Sequence, residues 1–526
     1  MIKGSNVHSP FGPRDANDLI DRETGQLLGA YQVSNSIKNC MQLRDGKRAL
    51  IIGRKGSGKT TLLHMLRRQS DVSCEVEIGK DFPLVVDRLF GETSSRFIEK
   101  ASNIWRTVIW NTVIVNVHVQ RPELLDALDR NDKKFIESYL AALTQNTDAT
   151  SKSKLSTHVA EAAESLSRGR FGIGAVLARF ALDSEVELEP AKAIIESCLS
   201  QSGVNASVFI DTMEFYDVLE SEAALQSLQG LLNCCTRLHH ESDYLECRLF
   251  FPDELTEFAK SKSKSVAKDF RDIQHLSWSA SELVCLAGLR LRDNIPATFP
   301  KGWDTVSLRL SDPKPAQELI TKLIPSKITN SQGVTFETVE YILRHTQLTP
   351  RQVIMMLNWI FEDRFRISGT VLEPFETRMS ESELLIRVHE CAQEIYSDIL
   401  ATYGEIYPDI ELLLSSLLPE LGREFQNADL LEACKKCEIA ETFGVIPERL
   451  KKILSDIGVV GIVTEKNDDV NTVVGRFSYR SWQRLVLSAS HTFCVHPIFS
   501  SVHPPLIDDG LTVRPEGVSV YENFNG

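Results

Sequence analysis

One eight-residue stretch limits what this chain can fold into more than any other: Gly53-Arg54-Lys55-Gly56-Ser57-Gly58-Lys59-Thr60. Four apolar residues, Ala49-Leu50-Ile51-Ile52, precede it, and Leu62, Leu63, Met65 and Leu66 follow it at helical spacing. A short apolar run bounded by a turn is the pattern of a buried parallel strand. The order is therefore strand, glycine-rich turn, helix, the context in which the spacing G-x-x-x-x-G-K-[ST] carries meaning. Glycines let backbone N–H groups turn inward around phosphate oxygens, and the helix N-terminus adds the positive end of its dipole. Lys59 is expected to reach the β- and γ-phosphates and the Thr60 hydroxyl to hold Mg²⁺. Thr61 completes the cradle.

A loop of this kind needs an acid on a nearby strand to hold the metal, usually through water. Val208-Phe209-Ile210-Asp211 reads as a buried strand ending in that acid, at the carboxyl edge of a sheet, where ligands bind. Thr212 stands where many hydrolysing ATPases carry a second acid, and Glu214, three residues past Asp211, is the candidate for orienting water. Turnover and binding without turnover both stay open. No Asn-Lys-X-Asp run occurs to read guanine, so ATP is the expected nucleotide. The single phosphate loop argues against a motor built from two tandem domains.

At roughly 150 residues per domain, a chain of 526 residues suggests three or four domains. Residues 1–46 read as an N-terminal lead-in, 47–291 as the ATPase core with a helical insertion at about 82–202, 292–410 as linker and helical lid, and 411–526 as a winged-helix domain and tail. Within the core, apolar runs at 204–210, 245–251 and 273–276 alternate with helical patterns at 223–238 and 279–291, which points to a parallel sheet. The stretch 97–119 reads as one long buried helix, although its β-branched run leaves a strand open; 160–182 and 190–199 read as further helices. Residues 292–335 are Pro-rich and irregular. The expected fold class is α/β: a P-loop NTPase core with a parallel sheet, a helical insertion, a helical lid and a C-terminal winged helix.

With 58 Lys plus Arg against 72 Asp plus Glu, the net charge of −14 excludes a chain that is basic throughout. No window approaches the roughly 18 apolar residues of a membrane span, and the first residues lack a secretory pattern. Eleven cysteines, mostly scattered singly, suit a reduced, cytoplasmic protein.

These pieces, in this order, resemble AAA+/STAND-type P-loop ATPases laid out like the origin-recognition Orc/Cdc6 proteins, and are similar to a bacterial branch with members in phage-defence settings. The resemblance rests on Gly12-Pro13-Arg14-Asp15 upstream of the loop, on Arg248-Leu249-Phe250-Phe251-Pro252-Asp253-Glu254, on Leu276-Ser277-Trp278-Ser279 with Glu282-Leu283 and Arg290-Leu291, and on Leu348-Thr349-Pro350-Arg351-Gln352. It implies that Arg351 senses the γ-phosphate from the lid, that Gly12 to Asp15 lie beside the adenine, and that the chain forms a homo-oligomer or engages a partner protein. Arg271 lies where a finger arginine acting across subunits sits, but reads more simply as solvated. Two departures stand out: Pro13 breaks the first motif, and the strand that should end in a polar sensor ends in Phe251-Pro252.

Helix, helix and hairpin over 427–437, 447–457, 459–464 and 473–479 give the order of a winged helix, which invites DNA as a partner. Arg449, Lys451, Lys452, Arg476 and Arg480 favour it, yet residues 421–490 hold ten basic and ten acidic side chains, and Asp468 and Asp469 mark the hairpin tip. Contact with DNA or with protein stays open. Lys260, Lys262, Lys264 and Lys268 read as a solvated stretch, and Cys434 and Cys437 as helix thiols without the second pair a zinc site needs.

Overall fold

The computed structural model describes residues 9–14, 29–42, 48–77, 97–145, 171–172, 188–211, 222–256, 272–294, 311–322, 324–329, 333–362, 365–368, 371–374, 379–480, 485–503 and 510–521. The chain divides into two units: Asn39–Lys55 with Lys59–His275, and Met1–Lys38 with Gly56–Gly58 and Leu276–Gly526.

The first unit is an α/β fold around a six-stranded sheet. Its strands are β1 (Arg48–Gly53), β2 (Val72–Glu77), β3 (Phe171–Gly172), β4 (Ala206–Asp211), β5 (Leu245–Pro252) and β6 (Asp272–His275), in the spatial order β3-β2-β4-β5-β1-β6. Every neighbouring pair is parallel. Parallel strands are covered on both faces and read as continuous apolar runs; accordingly Leu50, Ile51 and Ile52 of β1 and Val208, Phe209 and Ile210 of β4 are all buried. The helix Lys59–Arg67 connects β1 to β2.

The stretch left open between helix and strand is the helix Phe97–Gln120. Its β-branched residues Val113, Ile114, Val115 and Val117 are buried, so packing overrides their weak preference for strands. Inside it, the Thr112 hydroxyl donates to the Val108 carbonyl at 2.8 Å and the Asn116 amide to the Thr112 carbonyl at 2.8 Å, so these two buried polar side chains find partners within the helix. It packs on the helix Glu222–Glu241 at Gly230, where a Cβ would lie 2.6 Å from the Ala101 Cβ. The Trp105 indole N–H donates to the Ser227 carbonyl across the same seam at 3.0 Å. At its far end Gln120 and the backbone of Ser73 in β2 exchange two hydrogen bonds of 2.9 and 2.7 Å. This helix, expected as part of an insertion, is thus packed directly on the sheet.

One expectation is corrected here. Phe171 and Gly172, inside the stretch read as helix over 160–182, form β3, because they supply the partner for the edge of β2 at Val76 and Glu77; the rest of that stretch lies outside the described residues. β2 lies in a stretch that carries no element in the sequence reading. Its polar positions find non-local partners: Glu75 pairs with Arg67, and Ser73 accepts from the Arg67 Nε at 3.2 Å.

In the second unit, the span read as irregular contains the helix Pro313–Ile320. Its proline occupies the first turn, where no N–H is needed, and the Asp312 carboxylate caps it by accepting from the Lys314 N–H at 3.0 Å. β7 (Lys327–Thr329) pairs with β8 (Thr335–Glu337), and β9 (Phe365–Ser368) with β10 (Val371–Pro374). The helices Thr338–Leu343 and Pro350–Phe361 are separated by a turn that ends at Thr349, and Glu381–Gly404 follows. Beyond lie the helices Asn427–Lys436 and Pro447–Ile457 and a five-stranded sheet. Its strands β11 (Glu424–Phe425), β12 (Val460–Asn467), β13 (Thr472–Arg476), β14 (Phe493–Val495) and β15 (Thr512–Pro515) stand in the order β11-β14-β12-β13-β15. Val473, Phe477, Cys494, Leu511 and Val513 form the core of this module. Among the described residues, no helix is long and apolar enough to cross a membrane.

Candidate functional site at the phosphate-binding loop

In the α/β unit, β1 and β5 end side by side, Gly53 in register with Pro252, while Phe250 is in register with both Ile51 and Asp211. Asp211 is the last residue of β4 and half-buried. One strand, β5, separates it from the loop strand, so its backbone lies about 10 Å from β1 at the usual strand spacing, at the same carboxyl edge of the sheet. Lys59 is 2% exposed; its ammonium donates to the Gly53 carbonyl and, at 3.1 Å, to the Arg54 carbonyl. A buried ammonium held on loop carbonyls is a positive charge kept at the loop, at the start of the helix Lys59–Arg67. Thr60 is half-buried and Thr61 buried in its first turn. Two carboxylates meet the loop from the end of β5: Glu254 accepts from the Lys55 N–H at 2.9 Å, and Asp253 lies 3.7 Å from the Arg54 Nε.

The middle of the loop, Gly56–Gly58, belongs to the second unit. Gly56 and Gly58 have φ of 81° and 98°, the left-handed region that costs a side-chain-bearing residue about 1–2 kcal/mol. The Arg351 N–H donates to the Gly56 carbonyl at 3.3 Å, and a Cβ on Gly56 would sit 2.7 Å from the Arg351 Cβ. The Trp278 indole N–H donates to the Ser57 carbonyl at 2.8 Å. Gly58 lies against the Tyr31 ring, which meets Trp278 edge-on at 5.8 Å. Among the described residues the buried Ser57 hydroxyl has no hydrogen-bond partner, which leaves a polar group for a ligand to satisfy.

Arg351 is fixed by its own turn. Leu348 takes a left-handed φ of 51°, Thr349 caps the helix by accepting from the Gln352 N–H at 3.4 Å, and Pro350 opens it. Gly12 and Pro13 are held in the same unit: the Asn358 amide donates to the Gly12 carbonyl at 2.9 Å, and Arg290 donates to the Pro13 carbonyl. Arg14 lies 3.6 Å from the Met355 sulfur. Asp15, Thr212, Glu214, Arg271 and the lysines at 260–268 fall outside the described residues.

Each unit by itself carries features that suit a nucleotide phosphate chain with its metal: in the first, a buried ammonium, a helix start and a carboxylate at the strand edge; in the second, left-handed loop glycines and the buried Ser57 hydroxyl. Asp253, Glu254, Tyr31 and Trp278 were not singled out as site residues from sequence. For the two acids, a signal existed in their position just past an apolar strand, and for Trp278 in the Leu276–Ser279 motif; for Tyr31, none did.

The sequence matches no family profile and no curated protein. Among solved structures, the chain is similar to the ORC2 protein of Aeropyrum pernix in its ADPNP–ADP complexes, with 13% identity and a TM-score of 0.38 over 90% of this chain and 92% of that one. The ADP form of the same protein matches with 14% identity and a TM-score of 0.30 over 90% and 89%. A likeness this distant assigns neither family nor activity to this chain.

Proposed function

We propose that this chain is a Mg²⁺-dependent, ATP-binding switch of AAA+ type that hydrolyses ATP and couples its nucleotide state to assembly or to binding a partner protein. The observation that carries the reading is the buried Lys59 ammonium at a helix start, beside a loop whose Gly56 and Gly58 are left-handed and whose strand stands two places from Asp211. Lys59 neutralises the β- and γ-phosphates, the loop N–H groups cradle them, and Thr60 and Asp211 hold the metal, which when bound withdraws charge from the transferring phosphoryl group. Glu214 orients a water for attack on the γ-phosphorus; the bond to the bridging oxygen breaks, giving ADP and phosphate, and the water's proton passes to the carboxylate.

Arg351 is the reporter in this reading. Its backbone already touches Gly56 of the loop, and a guanidinium can bond a γ-phosphate bidentately. Ligands that bear that phosphate then favour one conformation over another, which is how a nucleotide shifts an equilibrium. The helix–helix–hairpin module is a partner-binding winged helix in this account. For it, a protein partner is favoured over DNA because Arg476 is neutralised by Glu516 at 2.7 Å and Asp468 and Asp469 are exposed at the hairpin tip. The setting in bacterial antiviral defence comes from the family resemblance alone, and phage plating on cells with and without the gene tests it. The biochemical test is ATP turnover by the purified protein beside Asp211→Asn, with and without duplex DNA. Asp211-dependent turnover unaffected by DNA is expected. Stimulation by DNA would support a DNA-loading ATPase instead, and ATP binding without turnover a nucleotide-bound scaffold.

A further inference from the structure

The strand β15 is an unexpected member of its sheet. Within the second unit it adds to the outer edge of the hairpin in parallel, with Thr472 opposite Thr512, Val473 opposite Val513 and Gly475 opposite Pro515. The Thr512 N–H donates to the Asn471 carbonyl at 2.9 Å and the Glu516 N–H to the Gly475 carbonyl at 2.8 Å, while the Asn471 amide donates to the Gly510 carbonyl at 3.0 Å. Leu511 and Val513 fill the module's core. An edge strand left open offers unpaired backbone groups to any extended segment, and here the chain's own segment occupies that edge.

The same segment then leaves the module and grips the helices before it. Arg514 pairs with Glu340 at 3.2 Å, and the Ser519 hydroxyl donates to the other oxygen of that carboxylate at 2.8 Å. The Tyr521 hydroxyl donates to the Gln317 side chain at 2.9 Å. Glu340 lies on the helix Thr338–Leu343, which leads into the turn that sets Arg351 against Gly56. A second route runs from Gly517, whose left-handed turn lies directly against the Arg480 guanidinium. Arg480 donates to the Trp278 carbonyl at 3.5 Å, and the Trp278 indole donates to Ser57 of the loop.

We infer that residues 510–521 are an intramolecular clamp: they fill a strand-accepting edge of the hairpin, bind the module to the helices bearing Gln317 and Glu340, and tune the phosphate loop through Arg351 and through Arg480 and Trp278. The clamped state holds Gly56 and Ser57 by their carbonyls. Removing the clamp frees both routes, and by linkage whatever docking does to nucleotide affinity, nucleotide does to docking. The strand-accepting edge stands independently of the nucleotide reading; the tuning rests on it.

The test uses a chain ending at residue 509 and a fluorescent synthetic peptide of residues 510–521. The peptide is expected to bind the shortened chain saturably and the full-length chain at least about 100-fold more weakly, since the tethered segment competes at an effective concentration in the millimolar range. A peptide carrying Arg514→Glu and Ser519→Ala is expected to bind at least about tenfold more weakly than the native peptide. Adding the native peptide is expected to shift the shortened chain's Mg·ATP affinity at least about fivefold, toward the full-length value. Equal peptide binding by both chains, no binding by a shortened chain with native circular dichroism, or binding that leaves ATP affinity unchanged would each overturn the inference. If the shortened chain does not fold, a protease site placed before residue 510 allows the clamp to be cut after folding and exchanged for labelled peptide. A full-length chain that binds no ATP at all would overturn the nucleotide reading instead, and the peptide arm would still decide the strand-accepting edge.

Discussion

The two left-handed glycines of the loop have different surroundings, and that difference sets a quantitative expectation. At Gly58, with φ of 98°, a Cβ would meet the Tyr31 ring at 3.6 Å, an ordinary contact. Gly58→Ala therefore carries only the backbone cost of about 1–2 kcal/mol. At Gly56, with φ of 81°, a Cβ would come within 2.7 Å of the Arg351 Cβ and 3.3 Å of its Cδ. Overpacking of this kind adds about 1–3 kcal/mol, for a total of about 2–5 kcal/mol. The clash is with a Cβ, so the choice of second-site change matters. Arg351→Ala keeps the offending atom and relieves little, whereas Arg351→Gly removes it at a helix-propensity cost of about 1 kcal/mol. Urea unfolding of Gly58→Ala, Gly56→Ala and the doubles Gly56→Ala/Arg351→Ala and Gly56→Ala/Arg351→Gly, each beside its Arg351 single, gives the coupling energies. A coupling of about 1–3 kcal/mol is expected with Gly and near zero with Ala. Equal destabilisation at the two glycines, or equal rescue by both arginine changes, would refute the reasoning.

Asp211→Asn is expected to raise the Mg²⁺ concentration for half-maximal nucleotide binding about 10- to 100-fold, read by titrating Mg²⁺ at fixed ATP. Gly230→Ala is expected to lower the urea midpoint, because its Cβ meets Ala101 and the Ser102 backbone within 2.9 Å; the helix preference for alanine opposes this by at most about 1 kcal/mol, so a raised midpoint would contradict the packing. His496 is fully buried, accepts from the Ile498 N–H at 3.2 Å and lies 2.8 Å from the Tyr479 hydroxyl; burial, then the Arg344 guanidinium, push its pKa down to about 3. The unfolded chain takes up that proton first, so the histidine's share of stability is complete above pH 6.5 and is lost as the pH falls toward about 3. By pH 5 the loss is about 2 kcal/mol, and His496→Gln, which takes up no proton, is expected to lose less stability than the parent between pH 7.5 and 5.

What the sequence made legible was local. The loop declares itself because strand, turn and helix are contiguous, and β4 with Asp211 because a doubly buried strand has to be apolar throughout. β2 escaped notice because Ser73 and Glu75 alternate with its apolar residues, and their partners Gln120 and Arg67 are set by the fold. The helix Pro313–Ile320 escaped because prolines suggest irregularity, although a proline in the first turn starts a helix as readily as it ends one. The approach of Glu254 to the Lys55 amide follows from the parallel register of β1 and β5, which no local pattern encodes. Trp278 and Tyr31 meet Ser57 and Gly58 through tertiary packing, which no local pattern encodes either. β15 is four residues containing an arginine and a proline, and only its parallel partner makes it a strand.

The most direct measurement is calorimetric titration of Mg·ATP into the native protein and into Lys59→Ala. Removing the ammonium deletes a charge-assisted contact worth about 1.5–3 kcal/mol, so the variant is expected to bind about 10- to 150-fold more weakly while keeping its native circular dichroism. Equal affinity in the two proteins would contradict the assignment of this loop as the phosphate site.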